Sequence, residues 1–212
     1  MNRKIRSVVL LVAAAAAAGG ALAQDSTLKF GVTRYQVHSE TNGVTGAGVP
    51  PGADATVGSA TTVLFTYEYQ FMPNVGVELV LGVPPKIKGY ATGSLAFLGE
   101  VVEARNVAPT VLVNYHFGQS GDALRPYLGA GINYTKFTGV SSPYGYQVSL
   151  SDSWGPTAQA GLDYAINKQW GAYASIAVVR VKSDLVAIGA NVLQTTINFR
   201  PVVYSAGVSF RF

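Results

Sequence analysis

Apolar and polar residues alternate with a period of two along most of the chain, the spacing that sends successive side chains to opposite faces of an extended strand. Val63, Phe65, Tyr67, Tyr69 and Phe71 alternate with Thr62, Leu64, Thr66, Glu68 and Gln70, and Val75, Val77, Leu79, Leu81 and Val83 with Gly76, Glu78, Val80 and Gly82. Met72-Pro73-Asn74 alone separates these runs, which is hairpin spacing with turn-forming residues. The pattern predicts eight strands, over 27–37, 61–71, 75–84, 105–117, 123–135, 155–166, 170–182 and 200–212. The links alternate between short (72–74, 118–122, 167–169) and long (38–60, 85–104, 136–154, 183–199). Short periplasmic turns and long external loops are the layout of an outer-membrane barrel, and an even strand number leaves both termini on the periplasmic side.

Composition separates this barrel from a soluble one. Charged residues make up 12% of the chain, about half the usual fraction. Beyond the N-terminal segment no apolar run reaches the length of a transmembrane helix. A closed barrel satisfies every backbone group through its own ladder and is the remaining way to span a bilayer. The polar face is mainly Gly, Ser, Thr and Ala, which suits a crowded interior rather than a water-facing wall. The apolar face carries Phe30, Tyr69, Phe71, Tyr115, Phe117, Tyr164, Trp170, Phe210 and Phe212 near its periplasmic ends, an interfacial girdle. The fold class is therefore all-β: an eight-stranded antiparallel transmembrane β-barrel.

The N-terminus reads as an export signal. Arg3, Lys4 and Arg6 precede an apolar stretch from Val8 to Ala18 and an A-x-A site at Ala21–Ala23, the order of a cleaved signal peptide over 1–23 with the barrel over 24–212. Those three cations belong to a total of 15, so 12 remain against 11 acids, and no basic stripe is left for a nucleic-acid partner. The last strand alternates back from Phe212 through Phe210, Val208, Ala206 and Tyr204, resembling the signal read by the outer-membrane assembly machinery.

The inward face divides by height. Lys29, Glu68, Glu78, His116, Arg125, Asp163 and Arg211 converge near the periplasmic ends, with Asn114 and Gln159 among them, and buried charges need partners. They are expected to form a charged floor. Higher up, Leu64, Val80, Leu112, Val179, Val181 and Val203 predict an apolar shaft, together with Ala108, Thr110 and Asn133. Pro109 lies deep in the fourth strand, facing lipid, and cannot donate to the ladder; it is the candidate for a lateral exit. Of the external loops, 41–59 is Gly/Ala/Pro-rich and expected to be mobile, while Ser94–Val102 is apolar enough for a short helix or lid.

Catalytic chemistry finds little support. His38 and Ser39 are neighbours on an extended segment and point apart. His116 faces the charged floor, and no His or Cys cluster offers a metal site. The expectation is a non-enzyme with no cofactor.

APTVLVNYHF (Ala108–Phe117), RPYLGAGINYTKF (Arg125–Phe137) and GVELVLGVPPKIK (Gly76–Lys88) resemble the OmpW family of small outer-membrane barrels. The resemblance covers essentially all of 24–212. It implies a narrow apolar lumen that takes up small hydrophobic compounds, with lateral release into the outer membrane as a further expectation. A structural, stress-response or adhesive barrel without transport is the alternative.

Overall fold

A computed structural model describes residues 26–189 and 191–212; the expected signal peptide lies outside them. Sixteen strands follow in chain order: β1 (Ser26–Gln36), β2 (Glu40–Thr41), β3 (Thr45–Gly46), β4 (Ala53–Val57), β5 (Ala60–Met72), β6 (Val75–Gly82), β7 (Lys86–Gly93), β8 (Glu100–Val107), β9 (Thr110–His116), β10 (Leu124–Ser141), β11 (Gln147–Leu150), β12 (Ser153–Ala165), β13 (Trp170–Val179), β14 (Val181–Ile188), β15 (Val192–Phe199) and β16 (Val202–Arg211). Eight of them close the barrel in the antiparallel order β1-β5-β6-β9-β10-β12-β13-β16, with β16 returning to β1. The closing ladder runs from Thr27 opposite Arg211 to Gln36 opposite Val202. At the end of the chain, the Phe212 N–H donates to the Ser26 carbonyl at 3.0 Å.

The two faces divide as alternation requires. Phe30, Phe65, Leu79, Val111, Val113, Leu128, Ile132, Ile176, Val178 and Val208 are exposed on the outer face, an apolar belt that only lipid can cover. Aromatic pairs mark its periplasmic edge: Trp170 lies 4.9 Å from Phe210, and Tyr115 lies 5.1 Å from Phe117. Inside, small residues make room for large ones. A Cβ on Gly161 would collide with the Tyr127 ring, and one on Gly31 with the Ala206 carbonyl and the Tyr173 hydroxyl.

Three expectations need correction. The links read as long loops hold strands of their own. β10 runs on to Ser141, β11, β14 and β15 form a sheet, and β7 and β8 pair above the membrane. The segment 41–59, expected to be mobile, holds β3 and β4 and the end of β2, and β4 is paired with β7. Its glycines serve as turns, with Gly43 and Gly48 at φ 83° and 78°, where L side chains are strained. Pro109 is not deep within one strand: the fourth predicted strand is two, β8 and β9, interrupted at Ala108-Pro109. Within 94–102, Ala96–Leu98 does form one 3-10 turn.

Candidate functional site

Among the described residues, cavities lie at three successive heights along the barrel. The upper one, about 270 Å3, sits among the strand extensions and is lined by Val57, Ile87, Ala104, Phe137, Ile197 and Phe199, with Leu95 and Leu98 of the 3-10 segment at its side. Most of these residues lie where sequence reading had ended the strands. The signal was present, because Val181, Ser183, Leu185 and Ala187 continue the alternation and are more buried than Lys182 and Asp184 between them. Polar atoms are few at this site. Asp54 is one source, and it accepts hydrogen bonds from the Thr41 hydroxyl and, at 2.8 Å, from the Ala55 N–H.

A constriction follows. Phe137 and Phe199 stand 5.6 Å apart, packed with Val181, and Val179 packs against this cluster from below. Beneath it is a middle cavity of about 60 Å3 lined by Leu64, Val80, Leu112, Val179 and Val203, five of the six expected shaft residues, with Ala108, Thr110 and Asn133. The sixth, Val181, belongs to the constriction. Tyr127 and Tyr173 close the middle cavity toward the periplasm. Sequence reading missed both, although Tyr127 shares the strand parity of Arg125 and Asn133.

The floor begins with a conflict. Glu68 and Glu78 are directly opposite on β5 and β6, and like charges in that position repel. The neighbouring strands resolve it. Lys29 places its ammonium 3.4 Å from Glu68 and 3.0 Å from Asp163, and over the Tyr127 ring at 4.5 Å. His116 Nε2 lies 2.6 Å from Glu68, and its Nδ1 is 3.6 Å from Asp163. The Asn114 and Gln159 amides donate to Glu78 at 2.8 and 2.7 Å. Lys29, Glu68, Glu78, His116 and Asn114 are all buried. Glu68, His116 and Asp163 could face one metal ion, but the Lys29 ammonium already sits against both carboxylates and opposes a second cation there.

Arg125 and Arg211 stand apart from these pairs. Arg125 Nη2 donates to the Pro73 carbonyl at 3.0 Å, and neither arginine forms an ion pair among the described residues. Both line a lower cavity of about 30 Å3 beside the periplasmic turn 167–169, room for about one water. His38 is exposed, and the Ser39 hydroxyl accepts from the Val57 N–H at 3.0 Å rather than meeting His38.

The wall also has a weak place beside the middle cavity. The β6–β9 ladder ends at Val80 opposite Thr110, and the β7–β8 ladder starts at Lys86 opposite Arg105. Between them one backbone hydrogen bond is found among the described residues, from Asn106 N–H to Pro85 carbonyl at 3.0 Å. Pro85 has no N–H to return that bond to Asn106, whereas Pro109 accepts from the Tyr134 N–H at 3.0 Å, so the donor it lacks belongs to its ladder with β10. Val80, Ala108 and Thr110 line the middle cavity at its edge. Above the membrane, ion pairs tie β7 to β8. A hydrogen bond to Glu100 raises the pKa of the Lys88 ammonium, and one from Lys86 lowers that of the Glu103 carboxyl.

The OmpW family matches residues 23–212. The chain belongs to the OmpW family. It is 31% identical over 168 residues to outer membrane protein W of Vibrio cholerae, covering 76% of this chain and 77% of that one. The crystal structure of the outer membrane protein OprG from Pseudomonas aeruginosa superposes with a TM-score of 0.82 at 26% identity, covering 91% of this chain and 98% of that one. A more distant relative, the "dibenzothiophene metabolism operon protein PahQ" of Pseudomonas aeruginosa, is 26% identical over 166 residues, covering 76% of each. This OmpW-family protein is thus an outer-membrane barrel of the Gram-negative type.

Proposed function

We propose that this OmpW-family barrel takes up small apolar compounds from outside and releases them sideways into the membrane. The observation that carries the reading is a large apolar cavity above a closed, charged floor. A cavity of about 270 Å3 with an almost wholly apolar lining suits a small aromatic or a medium alkane. Burial of the compound's apolar surface supplies the driving force. A relative named for dibenzothiophene metabolism supports an aromatic member of this class.

The floor opposes straight passage, because an apolar solute gains nothing from parting buried ion pairs. The interval between the β6–β9 and β7–β8 ladders is the opposite kind of barrier, with few hydrogen bonds to break and lipid beyond it. Pro85 contributes to it directly, and Pro109 beside it loosens the adjoining β9–β10 ladder. On this reading, export removes residues 1–23, and the strand ending at Phe212 engages the outer-membrane assembly machinery.

The test is uptake of a panel of small alkanes, terpenes and aromatics by cells with and without the protein. Uptake should rise with the protein and fall back with Leu64→Asp or Leu112→Asp while the barrel stays folded. A flat response across the panel sinks the proposal. A structural or adhesive role would instead survive both substitutions and be lost on trimming the external extensions, where Phe97 is exposed at the tip of the 3-10 turn.

A further inference from the structure

The outer face carries two arginines set opposite each other at a definite height. Trp170 and Phe210 are opposite each other on β13 and β16, at the periplasmic edge of the apolar belt. The register continues unchanged from Val178 opposite Val202 to Val181 opposite Phe199. Arg180 and Arg200 therefore fall opposite each other, at the interruption between the lower and upper ladders. Both are exposed and have the parity of Trp170 and Phe210. Each lies ten residues from its aromatic partner along the strand. With a rise of about 3.3 Å per residue and a tilt of about 40°, that is roughly 25 Å, the height of the lipid-facing band of such barrels. The two guanidinium groups thus sit at the outer headgroup level.

Like charges directly opposite on one face repel, and the protein relieves this only partly. Arg200 pairs with Glu40 at 2.9 Å, with both side chains about 60% exposed, a contact that solvent screens. Arg180 and its neighbour Lys182 form no ion pair among the described residues. Asp184, two residues on, accepts from the Thr196 hydroxyl at 2.7 Å. Beside them, Arg180 N–H donates to the Pro156 carbonyl and Lys182 N–H to the Ser153 hydroxyl, both at 3.1 Å. This brings Trp154, 72% exposed, next to the cations. Its ring lies 4.7 Å from Tyr134, an aromatic pair suited to the interface.

We infer that Arg180, Arg200 and Lys182 bind a phosphate of an outer-leaflet glycolipid, with Trp154 against its sugar or upper acyl region. Guanidinium groups take phosphate oxygens in pairs of parallel hydrogen bonds. Apolar Val178 and Ile176 continue down the same face toward the bilayer interior, where acyl chains would lie. A lipid phosphate at this height removes the repulsion that the protein leaves standing, and this barrel acquires a lipid partner on the wall away from Pro109.

Trp154 reports on the site directly. With Trp170→Phe it becomes the chain's single tryptophan, because the sequence contains two. Purified Trp170→Phe protein in detergent is titrated with bis-phosphorylated lipid A, with the dephosphorylated lipid and with inorganic phosphate, following Trp154 fluorescence. Saturable binding of the phosphorylated lipid is expected, at least tenfold tighter than of the dephosphorylated form. Arg180→Gln with Lys182→Gln should weaken it about thirtyfold, from about tenfold or less per interfacial cation. Lys88→Gln, a cation paired on β7, should leave it unchanged, and heat-modifiable gel mobility checks folding. Equal affinity for both lipids, or an equal loss with Lys88→Gln, overturns the inference. So does displacement of the lipid by inorganic phosphate at matching concentration, which would make the site one for free phosphate.

Discussion

Replacing Lys29 with methionine probes the floor at its centre. Lys29 is about 2% exposed and holds its ammonium 3.4 and 3.0 Å from the Glu68 and Asp163 carboxylates. At an effective dielectric near 20, each such contact is an attraction of roughly 5 kcal/mol, most of it offset by the cost of taking the charges out of water. Truncating one partner leaves that cost standing without the attraction, so Lys29→Met should destabilise the barrel by about 3–5 kcal/mol. Loss of the ammonium over Tyr127 adds about 1 kcal/mol. Reversible urea unfolding in lipid vesicles, followed by tryptophan fluorescence, measures the cost. Combining Lys29→Met with Asp163→Asn should cost less than the two single changes summed, by at least about 1 kcal/mol. A single-substitution cost under about 1 kcal/mol, with additive double-mutant behaviour, would refute the view that this ion cluster braces and closes the floor.

Other outcomes follow from the same geometry. Pro85→Ala restores a backbone donor at the wall interval and should slow uptake of an apolar solute severalfold; unchanged uptake removes the sideways exit. Gly31→Ala forces a methyl group against the Ala206 carbonyl and the Tyr173 hydroxyl, and should cost about 1–3 kcal/mol in urea unfolding. Gly121→Ala meets nothing within 4 Å and should be neutral in the same assay. On the external face, the Lys86 contact that lowers the Glu103 pKa contributes fully above the ordinary carboxylate range. That contribution fades as pH falls through the lowered value, so protease nicking of β7–β8 should increase only in acid.

The barrel was legible in the sequence because its determinants are local and periodic. Parity alone separates Phe65 from Leu64 and Leu128 from Tyr127, and short links mark the periplasmic side. The floor was legible for a related reason: charged residues at inward parity in a narrow lumen have nowhere else to go. Its internal arrangement was not. That Lys29 meets Glu68 and Asp163, while Arg125 turns to the Pro73 carbonyl, depends on strand stagger around a closed ring, which no single strand encodes. The extensions were missed because turn-forming glycines at 43–52 look like a mobile loop when partners cannot be seen. With them went the upper cavity, built in part by Phe137 on the extended β10 and by Ile197 and Phe199 on β15. Pro109 was legible as a ladder defect, but which neighbour loses the bond is set by register: Pro109 faces β10, while Pro85 faces β8.

The most direct test of apolar entry over a closed floor is reconstitution with two simultaneous readouts. Protein in lipid vesicles is given a two-ring aromatic from outside, and its transfer into the bilayer and the flux of potassium ions are recorded together. Transfer should be severalfold faster than in protein-free vesicles, and should return to the protein-free rate with Ala104→Trp, which fills the upper cavity from a buried lining position. Ion flux should stay at background throughout. Ion flux well above background, or aromatic transfer indifferent to Ala104→Trp, would contradict uptake through an apolar cavity that opens sideways.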